Sequence, residues 1–540
     1  MEAPDQSRHE PDAVHASIEI IPHRSIHLSR RRNSLASPLL RLPTELILKI
    51  FAHGIELDGD DGDDDDNSDN SDGNGHNVHG QSLLVLTAVC HQLREIGIAS
   101  PQLWGTVDLT TPLVAELFLG RCKYDPHTLI KSTSASESRL LYPVKNPRRD
   151  ALWRKLKGRT FNGLRSIVFK GSQRSFALTV AGVLQRAPMV SNLDLCNYWA
   201  RPGQELPWPV GDPIPLLSSL RLSKFLISWT SPLLRNLTQL VLDFLPASIH
   251  SERTSIETFL TALANCPDLE TLSLTHAGPD LLNGHQDNCD TVVQLRKLQE
   301  FFLEFRDSSR VGYILSHIGF PELTKLAVHV PIEINDMPGT VSRVLPRQNA
   351  QTAQRFRKST ALTVYLGPDP HFFIDNLLIR FQESNLQFFR SPRDPQVLTR
   401  FASKIVEVIG GDTIISLNVE TQGNGAPDGM WGALLHGLPH LERICYHHIE
   451  EDGDGPLVNS FVLVFSGLFG GSPVCPRLQR LELPKGVLTQ DASVTALKCA
   501  LTERDACGRR LKWIGLSGDA TEADDRLILE PFRGLVDEVE

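Results

Sequence analysis

Apolar and polar positions follow two rhythms along this chain. Near the start the spacing is helical. Leu46, Ile47, Ile50 and Phe51 form one apolar stripe, and Val85, Val89, Leu93 and Ile96 repeat it, with Leu86 and Cys90 alongside. Pro43 falls where a first helical residue belongs, because its missing N–H is one that a helix start leaves unpaired. Glu45 follows in the first turn, where the helix dipole favours a carboxylate. Helices this short cannot bury their stripes alone, so a further surface must cover them.

From Leu164 onward the rhythm becomes a repeat of apolar, two variable, apolar, one variable, apolar. It reads Leu164-Ile167-Phe169, Val190-Leu193-Leu195, Leu217-Leu220-Leu222, Leu237-Leu240-Leu242 and Leu269-Leu272-Leu274. It continues as Leu298-Phe301-Leu303, Leu323-Leu326-Val328, Ile414-Leu417-Val419, Leu441-Ile444-Tyr446, Leu478-Leu481-Leu483 and Leu511-Ile514-Leu516. Weaker copies stand at Ala361-Val364-Leu366 and Leu386-Phe389. The last two apolar positions alternate as one face of a strand requires. Pro188, Pro267, Pro321, Pro439 and Pro476 each precede a copy by two residues and follow the helix-like runs 176–187, 256–266, 311–320, 430–438 and 461–468. Proline ends a helix and favours an extended lead into the strand. The predicted unit is therefore helix, proline, short strand, loop. Such units stack as a solenoid, because no single one buries its own apolar face.

The first region carries a family resemblance. Leu42-Pro43-x-Glu45-Leu46-x-x-x-Ile50-Phe51, then Val89-Cys90-x-x-Leu93-Arg94-x-Ile96, then Pro101-x-Leu103-Trp104 resembles an F-box. The resemblance implies docking on a Skp-type adaptor and, through it, on cullin and RING subunits of a ubiquitin ligase. It implies adaptor contact by Leu42, Pro43, Glu45, Leu46, Ile50, Phe51, Val89, Cys90, Leu93 and Trp104. The chain departs from the motif at Leu93, where the family carries Trp ahead of the Arg. The C-terminal repeat resembles leucine-rich repeats. Its spacing of 20 to 38 residues exceeds the usual ~20–29, and no ladder asparagine follows each strand, so an irregular arc with uneven turns is expected.

The expected class is α+β to α/β: a small helical F-box followed by an irregular solenoid of short parallel strands and helices. The expected organisation is a disordered tail over 1–37, the F-box over 38–110 with an acidic disordered insert over 57–80, transitional helices and loop over 111–160, and the solenoid over 161–540. In the transitional stretch, Val114, Leu117 and Phe118 suit one face of a short helix ending near Gly120, Tyr124 to Pro147 reads as loop, and Ala151–Leu156 as another helix. The competing architecture is an α/β domain with strands in non-sequential order.

Composition narrows the function. The net charge is −10, and the nine aspartates between Asp58 and Asp72 account for nearly all of it, since −10 + 9 = −1. The body is close to neutral, which carries no nucleic-acid footprint. The insert has too little apolar content to fold, and a flexible loop costs little to close. Asn70-x-Asp72-x-Asn74-Gly75 approaches a calcium loop, but Gln81 stands at the bidentate position and no helix precedes it. Nine cysteines at scattered positions without a C-x-x-C pair point to reduced thiols in cytoplasm or nucleus. Arg30-Arg31-Arg32-Asn33-Ser34 suits an import signal or a basophilic kinase site, against the plainer reading of a solvated tail. The most apolar run, Phe461 to Phe469, is far short of the ~20 residues a bilayer requires, so no membrane partner is expected.

Enzyme signatures are not found. Gly423-x-Gly425 has Asp428 where a dinucleotide fingerprint needs glycine, and no phosphate-loop, nucleophile-elbow or zinc-protease motif occurs. His447 and His448 are strand neighbours and face opposite ways, so they do not share a metal. Cys499 and Cys507 lie too far apart on a helix-like run to chelate. No cofactor and no metal are expected. The sequence reads as a non-catalytic receptor for a target protein. The alternative is an interaction scaffold whose F-box-like motif recruits no ligase, and a hydrolase or transferase on an α/β core has no supporting motif.

Overall fold

The computed structural model describes residues 28, 30–32, 37–57, 81–123, 125–132, 147–171, 182–197, 214–225, 227–243, 255–279, 291–305, 307–321, 324–331, 343–344, 361–368, 375–381, 384–389, 395–422, 428–449, 465, 474–484, 488, 491–517 and 528–539. The acidic insert, the calcium-like loop and the Gly423-x-Gly425 stretch lie outside them. Arg30–Arg32 are helical and exposed within the segment expected to be disordered. The fold is mixed α/β with mostly parallel strand pairing. The chain divides near residue 200 into two compact units.

In the first unit, helices α1 (Thr44–Leu57), α2 (Gln81–Val89) and α3 (His91–Ala99) precede a short parallel ladder. Its strands are β1 (Thr106–Asp108), β2 (Thr128–Ser132), β3 (Ser166–Gly171) and β4 (Asn192–Asn197), paired in that order. Helices α4 (Pro112–Arg121) and α5 (Pro147–Lys157) lie between them in sequence. Both were expected, whereas β2 falls in the stretch read as loop. Strand pairing thus begins at Thr106, ahead of the expected residue 161, and β3 and β4 belong with the helical segment.

In the second unit, β5 (Ser219–Ser223), β6 (Gln239–Asp243), β7 (Thr271–Thr275), β8 (Glu300–Glu304) and β9 (Lys325–Pro331) pair in parallel, each with the next. The register matches the repeat copy for copy: Leu220 faces Leu240, Leu240 faces Leu272, Leu272 faces Phe301, and Phe301 faces Leu326. A one-residue slip would turn each row into solvent, so this apolar alternation fixes the register. All five of these residues are at most 1% exposed. Helices α6 (Ile256–Ala264) and α7 (Ser308–His317) contribute Phe259, Leu263, Val311 and Ile314 to the same core. Burying each such side chain contributes roughly 1.5–3 kcal/mol before conformational entropy is set against it.

The middle of this unit departs from the repeat. Strands β10 (Ala361–Pro368), β11 (Asp375–Phe381) and β12 (Ser384–Phe389) form an antiparallel meander, with β12 parallel to β9 and β10 parallel to β13 (Ser416–Gln422). The weak copies are therefore placed differently from expectation. Leu362, not Ala361, stands beside Leu417, and Leu386 stands beside Val328 at a third apolar position. Beyond the meander the parallel order resumes through β14 (Arg443–Ile449), β15 (Arg480–Pro484), β16 (Leu511–Ser517) and β17 (Val536–Val539). Helices α8 (Pro395–Ile409), α9 (Asp428–Gly437) and α10 (Asp491–Ala506) are interspersed, and Trp431 of α9 meets Tyr446 of β14 edge-on at 5.2 Å.

The recurrent prolines have a local cause different from the expected one. The carbonyls of Ala187, Cys266, Leu438 and Cys475 accept from the N–H of Val190, Leu269, Leu441 and Leu478, three residues on. Pro188, Pro267, Pro439 and Pro476 thus occupy the second position of a β-turn, where the fixed φ of proline is already suitable. The chain turns at proline rather than running extended from it. Pro321 is displaced by one place: its own carbonyl accepts from Thr324 N, and the Thr324 hydroxyl donates to Leu298 O at 2.7 Å. Near Pro476 the buried Arg504 of α10 donates to the carbonyls of Val474 at 2.8 Å and Cys475 at 3.1 Å, holding that turn from below.

Candidate functional site

The first helical segment is the place to seek a docking surface, since its sequence leaves stripes uncovered. Helix α1 starts one residue later than expected. Pro43 stands just ahead of it, its carbonyl accepting from Leu46 N at 3.0 Å and Ile47 N at 3.2 Å, and Glu45 is exposed in the first turn. Leu42 is extended and half-buried. Ile47 and Phe51 are each 1% exposed, whereas Leu46 and Ile50, on the other side of the same stripe, are 43% and 41% exposed.

The second stripe divides at Cys90. This half-buried residue is extended, with φ −153° and ψ 167°, and its carbonyl opens α3 by accepting from Arg94 N at 3.1 Å. The break changes the helical phase, so Val85 and Val89 face outward at 57% and 65% exposure while Leu93 turns inward at 2%. The loose end of α2 is tied by Arg94, whose Nε donates to Thr87 O at 3.0 Å. Gly97 lets the helices meet closely: a Cβ there would lie 2.6 Å from Thr87 Cγ2 and 3.4 Å from Phe51 Cε2.

Trp104 has a structural task. It is fully buried, donates its indole N–H to Gly97 O at 2.7 Å and meets Phe118 of α4 edge-on at 4.8 Å. Arg121 lies 4.1 Å above the same ring. Burial and the neighbouring charge of Arg94 pull the Arg121 guanidinium below its usual range. Phe51, Leu93 and Trp104 are thus buried inside the chain, at 1%, 2% and 0% exposure. Pro43, Glu45, Leu46, Ile50 and Val89 are the expected contact residues that stand exposed, with Leu42 and Cys90 half-buried. Val85 and Ile98, the latter 42% exposed, extend the uncovered apolar set beyond the expected residues. Their signal was the helix break, which no Pro, Gly or capping side chain announces.

In the second unit the variable positions of the repeat form a polar, half-exposed face. Ser219 Oγ donates to Gln239 Oε1 at 3.1 Å, Ser223 Oγ donates to Asp243 Oδ2 at 3.1 Å, and Phe302 meets His329 edge-on at 4.6 Å. On β14 and β15 this face also gathers Cys445, His447 and Glu482. Cys445 Sγ lies 2.9 Å from His447 Nε2 and donates to Glu482 Oε2 at 2.9 Å. Burial, the Glu482 hydrogen bond and the charges of Glu482 and Glu420 push this thiol up. Sequence reasoning took His447 only with its chain neighbour and missed this trio. Cys499 and Cys507 are both exposed. Among the described residues, no helix is long and apolar enough to cross a membrane.

Comparison with protein families and with curated proteins finds no match for this chain.

Proposed function

We propose that this chain is a substrate receptor of a Skp–cullin–F-box ubiquitin ligase, working in the cytoplasm or nucleus. The observation that carries the reading is the uncovered apolar set Leu46, Ile50, Val85, Val89 and Ile98, on helices whose sequence resembles an F-box. Five large apolar side chains left in water on three short helices suit a partner that would cover them. In this reading Leu46, Ile50 and Val89 enter the adaptor, with Pro43 and Glu45 at the rim. The Leu at position 93 takes no area from that face, because it lies in the core. The repeats stack as a solenoid, and the polar face of the ladder holds the target. The chain performs no chemistry of its own: it raises the effective concentration of target lysines near the charged conjugating enzyme.

The test is capture of adaptor and cullin by the full-length chain in cells. Wild type should retain both. Replacing Leu46 and Ile50 together by Asp should remove both, with a loss on the order of 2–4 kcal/mol in adaptor affinity and an unchanged melt. A folded wild-type chain that retains no adaptor would leave the scaffold reading in its place.

A further inference from the structure

We propose that Cys445, His447 and Glu482 form a binding site for a divalent cation of the zinc class. Cys445 and His447 are two apart on β14, so both side chains leave the same face of the sheet. Glu482 stands beside Cys445 in the parallel register of β14 with β15, which brings the third donor to that face. The three donor atoms lie within 4.8 Å of one another. Metal–ligand bonds of ~2.0–2.3 Å put tetrahedral donors about 3.5 Å apart, so the two 2.9 Å contacts need open by only about half an ångström. Small side-chain rotations supply that.

The donor set selects the ion. A thiolate, an imidazole and a carboxylate together suit zinc or cobalt, and are wrong for calcium or magnesium, which take oxygen. Three protein donors leave one coordination position open. Glu420 stands beside His447 in the β13 register, and Asn418 beside Cys445. Asn418 Nδ2 donates to Glu420 Oε1 at 3.0 Å, orienting that carboxylate, while Asn418 Oδ1 has no hydrogen-bond partner among the described residues. Binding would exchange one proton for the ion: the Cys445 S–H gives up its proton to solvent, the sulfur–metal bond forms, and the hydrogen bond to Glu482 is replaced by a metal–oxygen bond. The cation would also offset the crowding of Glu420 and Glu482 around one sulfur. Gly515 stands beside Glu482 in the next register, and the Trp513 ring fills the space its missing side chain leaves, closing that side of the site with an indole.

The experiment is a cobalt titration of the reduced full-length chain, read by the thiolate-to-cobalt absorption band and by alkylation of Cys445 followed by mass spectrometry. Wild type should develop the band to a single equivalent, and zinc should displace it. Bound metal should protect Cys445 from alkylation while the exposed Cys499 still reacts. Cys445→Ser should abolish the band. His447→Gln and Glu482→Gln should each weaken binding at least about tenfold, with circular dichroism confirming that each variant is folded. The proposal is overturned if wild type shows no band, if the band survives Cys445→Ser, or if saturating metal leaves Cys445 as reactive as before. The band and the alkylation of the wild-type chain do not depend on any variant folding, and none of the tests depends on adaptor binding.

Discussion

The N-terminal helices and the C-terminal ladder are both apolar in pattern, yet they treat their apolar side chains differently. Between Leu217 and Glu540, Val292 is the one large apolar side chain exposed among the residues whose side chains are described. Between Thr44 and Ala99 there are five. A strand of the ladder has a neighbour on each side and helices against one face, so its apolar positions are covered. Three short helices have faces to spare, and one break at Cys90 suffices to turn Val85 and Val89 outward. What separates a core residue from an exposed one here is helical phase, not hydrophobicity.

Core positions on both sides should respond alike, and most strongly. Trp104→Ala in the first unit and Phe301→Ala in the second should each cost about 3–5 kcal/mol, as truncation of a fully buried aromatic does. Denaturant unfolding followed by circular dichroism measures both. A loss below 1 kcal/mol at Trp104, a threshold set by the ordinary cost of burying a void, would mean that the helices are not anchored through it. Next comes Arg504→Met, which keeps the bulk but strands carbonyls around Pro476. We expect a loss of roughly 3 kcal/mol, visible as a lower melting temperature. An unchanged melt would show that water satisfies those carbonyls.

Leu93→Trp sharpens the contrast within one helix. Trp at a position 2% exposed overpacks the space among α1, α2 and α3 at a cost of about 1–3 kcal/mol. The family-like residue should thus destabilise this chain, and a stabilised variant would relocate Leu93 to the surface. The smallest stability effect is expected at the exposed pair. Leu46→Ser and Ile50→Ser should each stay within about 0.5 kcal/mol of wild type and should lower retention on hydrophobic resin. A large cost at either would place that side chain in the core.

The ladder was legible because alternation specifies both strand and register. Each of the eleven strong copies coincides with a strand, and the second apolar positions of neighbouring copies lie side by side, as Leu220 does with Leu240 and Leu481 with Ile444 and Ile514. The meander was not legible. β11 carries Leu377, Leu378 and Ile379 in a row, a run without the alternation that marks one buried face, and antiparallel pairing leaves no trace in the spacing. β2 was hidden because Lys131 stands where the repeat has its third apolar residue, beside Phe169 of β3, leaving Leu129 as its one fully buried apolar residue. The Cys445 trio escapes any search for a linear motif, since Glu482 lies in the following repeat. Aligning the copies would have found it: Cys445 sits between Ile444 and Tyr446, and Glu482 between Leu481 and Leu483.

Most ladder strands pair with the next one in the chain, so each pairing closes a loop of about one repeat. Pairing between successive repeats favours stepwise folding in which one formed strand templates its successor. It also makes opening gradual. Amide hydrogens should exchange soonest in strands with fewest formed neighbours and latest near the centre of each parallel run. The antiparallel meander interrupts that propagation, because β11 must hairpin on both sides before β9 and β13 are joined through it. Exchange protection should therefore fall into two cooperative blocks, β5–β9 and β13–β17, that melt out of step with each other.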